Sequence, residues 1–370
     1  MAAQTIKFYN KSGKAFVTEL KERVDAYFVE NNISTYANSS MIIKTITLFS
    51  VYFGAYFLIL AQVTPLWGML LLAILMGFGK AGIGFSIAHD AIHGAYSKKL
   101  WVNRLLGFSM NLIGGSAYVW KITHNQIHHT YTNIHSVDED LEVTSLMRLS
   151  PEAPLRKIHR FQYLYFPIFY SLATVFWVIL KDYKKLTQKE IGKQKFNHPK
   201  KEIAITVLGK LMYYAYTIAI PLMILDVTLA QFFIGFFAMH LTAGLTLGVV
   251  FQLAHVVEET EHLQPDETGR MENAWAVHQM RTTANFAPKN WFVNWYVGGL
   301  NYQVEHHLFP NICSIHYDKL SPIVQEVAEK HNIPYNIHPT FFKAVGSHIK
   351  VLKKLGREEV VSEEVQLANA

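Results

Sequence analysis

The chain has 370 residues, of which 51% are hydrophobic and only 17% charged, with a net charge of +6. That is sparse charge for a soluble enzyme, and the basic residues stand in short blocks between apolar runs rather than along one groove-facing surface, which argues against a nucleic-acid binder. The single cysteine, Cys313, excludes an internal disulfide framework, a thiolate zinc site and a Cys-held iron–sulfur cluster, so a metal must be bound by nitrogen and oxygen, and eighteen histidines supply the nitrogen.

The N-terminus, "MAAQTIKFYNKSGKAF", lacks the apolar core of a signal peptide. Residues 1–40 are polar, with one amphipathic stretch, "FVTELKERVDAYFVEN", expected as a cytoplasmic or interfacial helix. Two long apolar runs come next. Residues 42–63 contain only Lys44, and residues 66–88 only Lys80. Each is long enough to cross a hydrocarbon core of roughly 30 Å. The connection "QVTPLWG" carries no Lys or Arg and is expected outside.

Further apolar runs cover 161–180, 204–225 and 229–254. The segment "KDYKKLTQKEIGKQKFNHPKKE", with eight lysines, comes after the first of these, and "RKIHR" precedes it. Basic residues stay on the cytoplasmic side. A single span between two basic flanks would put one of them outside, so 161–180 is expected to be interfacial or re-entrant. The expected fold is an all-α integral membrane protein with four transmembrane helices in two hairpins and a cytoplasmic helical cap. Both termini are then cytoplasmic. The expected organisation is an amphipathic N-terminal segment (1–40), a membrane domain (41–345) and a cytoplasmic tail (346–370). The acidic end, "REEVVSEEVQLANA", is expected to be disordered.

The second span ends in "AHDAIHG", with His89 and His93 four apart, on one face if the helix continues. "THNQIHHT" supplies His124, His128 and His129, and "QVEHH" supplies His306 and His307. His128 and His129 stand about 100° apart on a helix, so the pair can address two metals. Each cluster alone is a weak signal. Two fall after the second span and one after the fourth, so all three meet at one membrane face only if an even number of spans separates them, as the basic flanks already require. Seven imidazoles exceed the needs of one ion and suit two. Nitrogen donors favour Fe, Zn, Cu or Ni over Mg or Ca. A hydrolytic zinc site needs only three protein ligands, so the excess argues for a dinuclear redox centre, with iron as the expected metal.

"HDAIH", "HNQIHH" and "QVEHH" resemble the three histidine boxes of the membrane fatty-acid desaturases. The context "GGLNYQVEHHLFP" is similar to the branch in which glutamine opens the third box, which includes front-end desaturases. The resemblance runs from about residue 40 to 345. It implies a non-haem di-iron centre held by His89, His93, His124, His128, His129, His306 and His307. Gln303 stands where related enzymes have a ligand histidine, and His255, in "FQLAHVVEE", stands where the family recruits a further one at the end of the last span. Asp90, Asp138, Asp140, Glu305 and His316 are candidates to orient ligand rings. His135, His262 and His278 are also placed near the site. His159, His198, His331, His338 and His348 are read as surface residues, and the mid-span His240 as a neutral ring hydrogen-bonded inside the bundle.

The resemblance further implies O2 as oxidant and formation of a cis double bond in an acyl chain. No His-Pro-Gly-Gly motif of a fused cytochrome b5 occurs, so no haem is expected in the chain, nor a flavin. The expected partners are membrane lipid, an acyl substrate linked to CoA, lipid or carrier protein, and a separate electron donor, either ferredoxin or cytochrome b5 with its reductase. No nucleic acid is expected. The expected location is a bacterial inner membrane, or the endoplasmic reticulum in a eukaryote, with the site cytoplasmic. An acyl hydroxylase or another di-iron lipid oxygenase would use the same boxes. A histidine-rich metal transporter would instead set its ligands near the bilayer midplane.

Overall fold

A computed structural model describes residues 6–9, 13–142 and 144–358. Among them, five helices are long and apolar enough to cross a membrane: Ser39–Leu60, Leu66–Ile92, Lys157–Thr187, Lys200–Ile224 and Leu229–His255. Four match the expected spans. The fifth contains the 161–180 segment and continues well past it at its C-terminal end.

The first two helices form a hairpin. Asn38 begins it, its side chain accepting from Met41 N–H at 3.1 Å, which satisfies one of the orphan donors of the first turn. Small residues let the long helices approach closely, as is usual where lipid supplies no hydrophobic drive between helices. Added Cβ atoms would stand 3.1 Å from Tyr52 at Gly79, 2.5 Å from the Met239 carbonyl at Gly77 and 2.1 Å from the Ser171 carbonyl at Gly244. Leu229–His255 is therefore the central helix, with Leu66–Ile92 on one side and Lys157–Thr187 on another.

Two of the buried lysines inside this bundle have polar partners, which lowers the cost of placing them in apolar surroundings. Lys80 Nζ donates to Tyr213 OH (2.9 Å), which meets His240 Nε2 (2.9 Å), and His240 Nδ1 meets Thr174 Oγ1 (3.1 Å). Lys210 pairs with Asp182 at 2.7 Å.

The remaining elements gather at the end of the bundle where Ile92 and His255 lie. The amphipathic N-terminal stretch is a helix, Lys14–Glu30. Its Phe16, Leu20, Val24 and Phe28 pack with Leu320, Val324 and Val327 of the helix Tyr317–Lys330, so protein covers its apolar stripe. Short parallel strand pairs, Lys7–Phe8 with Arg270–Met271 and Asn285–Phe286 with Ile337–His338, tie distant segments together. Two expectations need correction. Residues 346–355 are not tail: they complete the helix Phe341–Leu355, which buries His348, Leu352 and Leu355. Of the acidic end, residues 359–370 lie outside the described residues. His159, His338 and His348 are buried rather than on the surface; His348, for example, joins Tyr170 OH (3.0 Å) and the Val256 carbonyl (2.7 Å).

Candidate metal centre

The histidine-bearing segments are locally unusual helices. Residues Ile83–Ala88 and Lys121–His128 are π-helical, a form concentrated at functional sites because it re-aims side chains within a continuing helix. The first π-turn leads directly into His89, and the helix stops after His93 at Gly94, whose φ is +77°. The third segment is brought in by Gly298 and Gly299, both at positive φ. A Cβ would stand 2.4 Å from Ser86 Oγ at the first and 2.5 Å from the Ser314 carbonyl at the second. Only glycine fits both the conformation and the space, and the helix Gln303–Leu308 begins soon after.

Eight imidazoles converge. His89, His93, His124 and His306 form one group whose ligating atoms all lie within 4.8 Å of one another; His128, His255 and His307 form a second; His129 joins His306 and His307 in a third. Ring nitrogens of different histidines face each other. The Nε2 atoms of His89 and His306 are 3.1 Å apart, and those of His124 and His129 are 3.2 Å apart. Nε2 of His93, His128, His255 and His307 is buried with no hydrogen-bond partner. Burial, with neighbouring histidines adding to it, pushes His93, His124, His129, His306 and His307 well below their ordinary pKa. Neutral rings with free, inward nitrogens are what a transition metal takes, and leaving so many unpaired without one would be expensive. The cluster has the donor set of a metal site.

The opposite nitrogens are held from behind. His89 Nδ1 donates to Asp90 Oδ1 (3.1 Å), and Asp90 Oδ2 accepts from Ser314 N–H (2.9 Å) and Oγ–H (2.8 Å). His128 Nδ1 lies 3.0 Å from Asp138 Oδ2 and 3.5 Å from Asp140. Burial opposes the Asp138 charge, but His128 and two backbone N–H groups outweigh it and hold the carboxyl below its usual range. His307 Nδ1 donates to Gln279 Oε1 (2.8 Å), which also accepts from Thr132 Oγ1 (2.8 Å). His255 Nδ1 meets the Thr282 carbonyl at 3.3 Å. Such partners fix the tautomer and leave Nε2 free for metal.

Two expected orienting residues do something else. Glu305 accepts from Asn285 Nδ2 (2.7 Å) and Tyr335 OH (2.6 Å), and burial raises its pKa to about 7. It anchors the third-box helix to the strand at Asn285. His316 Nε2 bonds the Tyr36 carbonyl (3.0 Å) and packs edge-on to Phe28. His278 Nε2 bonds the Thr132 carbonyl (2.7 Å), beside the site rather than in it. Gln303 is buried at the start of its helix, and its Nε2 has no partner. Gln279, Thr132 and Thr282 escaped sequence reading. The one available signal was polar residues recurring on the short helix Trp275–Thr282, which says nothing about their partners.

A sequence profile of the fatty acid desaturase family matches residues 65–339. The chain is 38% identical to an sn-1 linoleoyl-lipid 6-desaturase of Arthrospira platensis, over 96% of both chains. It is 38% identical to the enzyme of the same description from Synechocystis sp., covering 96% of this chain and 99% of the relative. An acyl-lipid (8-3)-desaturase of Physcomitrium patens is 32% identical, covering 96% of this chain and 74% of the relative.

Proposed function

Because this chain belongs to the fatty acid desaturase family and is a membrane oxidoreductase that desaturates fatty-acyl chains, we propose that it is a front-end acyl-lipid desaturase using two iron ions, O2 and a separate electron donor. The observation that carries the two-metal reading is the convergence of eight imidazoles, seven of them buried, in overlapping groups of which three hold three or more histidines each. His89, His93, His124 and His306 would hold one ion and His128, His255 and His307 the other, with His129 and Gln303 as further ligands. Bound iron supplies the oxidising power to remove hydrogen from an unactivated methylene, chemistry that no side chain provides.

The protein's own work is positional. Asp90, Asp138, Gln279 and Thr282 hold the rings in place. Burial of the rings excludes bulk water, and the protein sets one methylene of the substrate beside them. The front-end assignment is supported by the glutamine of "QVEHH" and by the 6- and (8-3)-desaturase descriptions of the relatives.

Four helices span, and Lys157–Thr187 does not: it packs into the bundle, where Thr174 meets His240, but both of its ends meet the cytoplasmic cap. Its first turns are tied to the cap, where Gln162 Nε2 donates to the Leu352 carbonyl at 2.8 Å and His159 Nε2 meets the Ser145 carbonyl at 3.2 Å. Its last turn reaches the same cap, where Lys185 pairs with Glu139 at 2.5 Å, next to the Asp138 that holds His128. A spanning helix would carry its ends to opposite faces. The basic flanks at 156–160 and 181–201 favour the same arrangement.

The test is expression in a host supplied with linoleoyl lipid, with gas chromatography of the fatty acids and iron measured per chain. A new bond on the carboxyl side of the existing ones and about two irons, as the paired histidine groups require, are expected. Hydroxylated products would move the chain to the oxygenase reading, and stoichiometric zinc would end the di-iron one.

A further inference from the structure

Three polar groups near the histidine cluster have no protein partner. Asn301 is fully buried, and neither Nδ2 nor Oδ1 meets a hydrogen-bonding atom among the described residues. The buried Ser86 hydroxyl and the Gln303 Nε2 share this condition. Buried polar groups are nearly always bonded, so a set of bare ones calls for a ligand.

The three sit on two segments that touch. Gly298 is pressed against Ser86, and the turn closed by Tyr302 N–H to the Gly299 carbonyl (2.9 Å) keeps Asn301 within one turn of that contact. Ser86 precedes His89 by three residues, Gln303 precedes His306 by three, and the two ring nitrogens are 3.1 Å apart. All three groups are neutral and can donate. The nearby carboxylates are already engaged, Asp90 by His89 and Ser314, and Glu305 by Asn285 and Tyr335. Three neutral donors suit a neutral acceptor, and burying a charged carboxylate costs far more than burying a carbonyl. A carbonyl oxygen accepts several donors without that penalty.

We propose that Ser86, Asn301 and the Gln303 N–H form the seat for the carbonyl oxygen of an acyl ester or thioester, from which the position of the new double bond is counted. The inference rests on the front-end reading and gives it a structural origin. Five carbon–carbon bonds of about 1.5 Å separate a carbonyl carbon from the sixth carbon, so the reacting methylene lies at most about 8 Å away. Three residues, a rise of about 4.5 Å, separate Ser86 from His89 along the helix, and the imidazole covers the rest. Substrates desaturated far from the carboxyl end would not need such a seat beside the metals.

The experiment uses the purified enzyme under anaerobic conditions, with substrate labelled by 13C at the carbonyl, as a glycerolipid in one arm and as acyl-CoA in the other. Infrared difference spectra should show the bound carbonyl band shifted to lower wavenumber, and the arm in which it shifts identifies the carrier. In Ser86→Ala and Asn301→Leu the shift should shrink. KM should rise about three- to tenfold for each lost hydrogen bond, and the double bond should spread to neighbouring positions, with metal content unchanged. Asn301→Ser serves if the leucine variant does not accumulate. A wild-type band at the free-ester position in both arms overturns the seat even if front-end products form. Methyl-side products with a shifted band remove the front-end reading and leave the seat standing. Variants with slower turnover but an unchanged band and a single product also overturn it.

Discussion

Replacing Asp138 by asparagine tests whether the metal centre depends on its outer partners. The two carboxylate oxygens each accept from a backbone N–H: Oδ1 from Asp140 at 3.1 Å and Oδ2 from Asn133 at 2.9 Å. Both also lie close to His128 Nδ1, at 3.2 and 3.0 Å. An amide cannot reproduce this. Whichever way it is turned, its NH2 points at one of the two backbone donors. The clash leaves a buried donor unpaired, worth about 1–3 kcal/mol, and removes the charge that polarises His128. Loss of a partner of this kind typically weakens metal binding about 10- to 100-fold. Because His128 belongs with His255 and His307, the loss should fall on one ion of the two. Metal content measured after dialysis against graded chelator should therefore drop from two ions towards one in Asp138→Asn, with the His89 group still loaded. Equal retention of both ions would refute the reasoning, and so would simultaneous loss of both in a protein that remains folded by circular dichroism.

Gln303→Ala should abolish turnover while Gln303→His retains part of it, read by product formation per bound iron; wild-type activity in the alanine variant removes Gln303 from the site. A cysteine introduced at the exposed Lys195 should resist a membrane-impermeant thiol reagent applied to intact cells and react after lysis, with the buried Cys313 silent throughout; efficient labelling from outside would refute the four-span arrangement. Burial pulls His348 from 6.5 to about 4. The unfolded state then binds more protons between those values, so His348 contributes stability that is complete above about pH 6.5 and declines as pH falls towards 4. The melting temperature of His348→Gln should accordingly show a shallower decline over that window; an unchanged slope would mean the ring is not held neutral.

Sequence alone determined the features that local geometry sets. Hydropathy marks the long helices because a hydrocarbon core admits little else, and i, i+4 spacing puts His89 with His93, and His124 with His128, on shared faces. The meeting of the clusters was legible too, since spans between basic flanks can be counted. The basic flanks set residues 161–180 apart from the expected spans, but sequence could not show what holds that segment. Residues 161–180 read like the others in composition, and it is contacts made at Gln162 and Lys185, with residues far away in the chain, that tie both ends of their helix to the cap. The partners behind the rings were equally hidden. Asp90 lies next to His89, but Gln279 reaches His307 across 28 residues and Thr282 reaches His255 across 27. Nor does "GGLN" disclose that Asn301 is buried without a partner. Tertiary structure decides these points because a hydrogen bond between side chains of different elements depends on how those elements pack, and packing has no period that a single sequence can display.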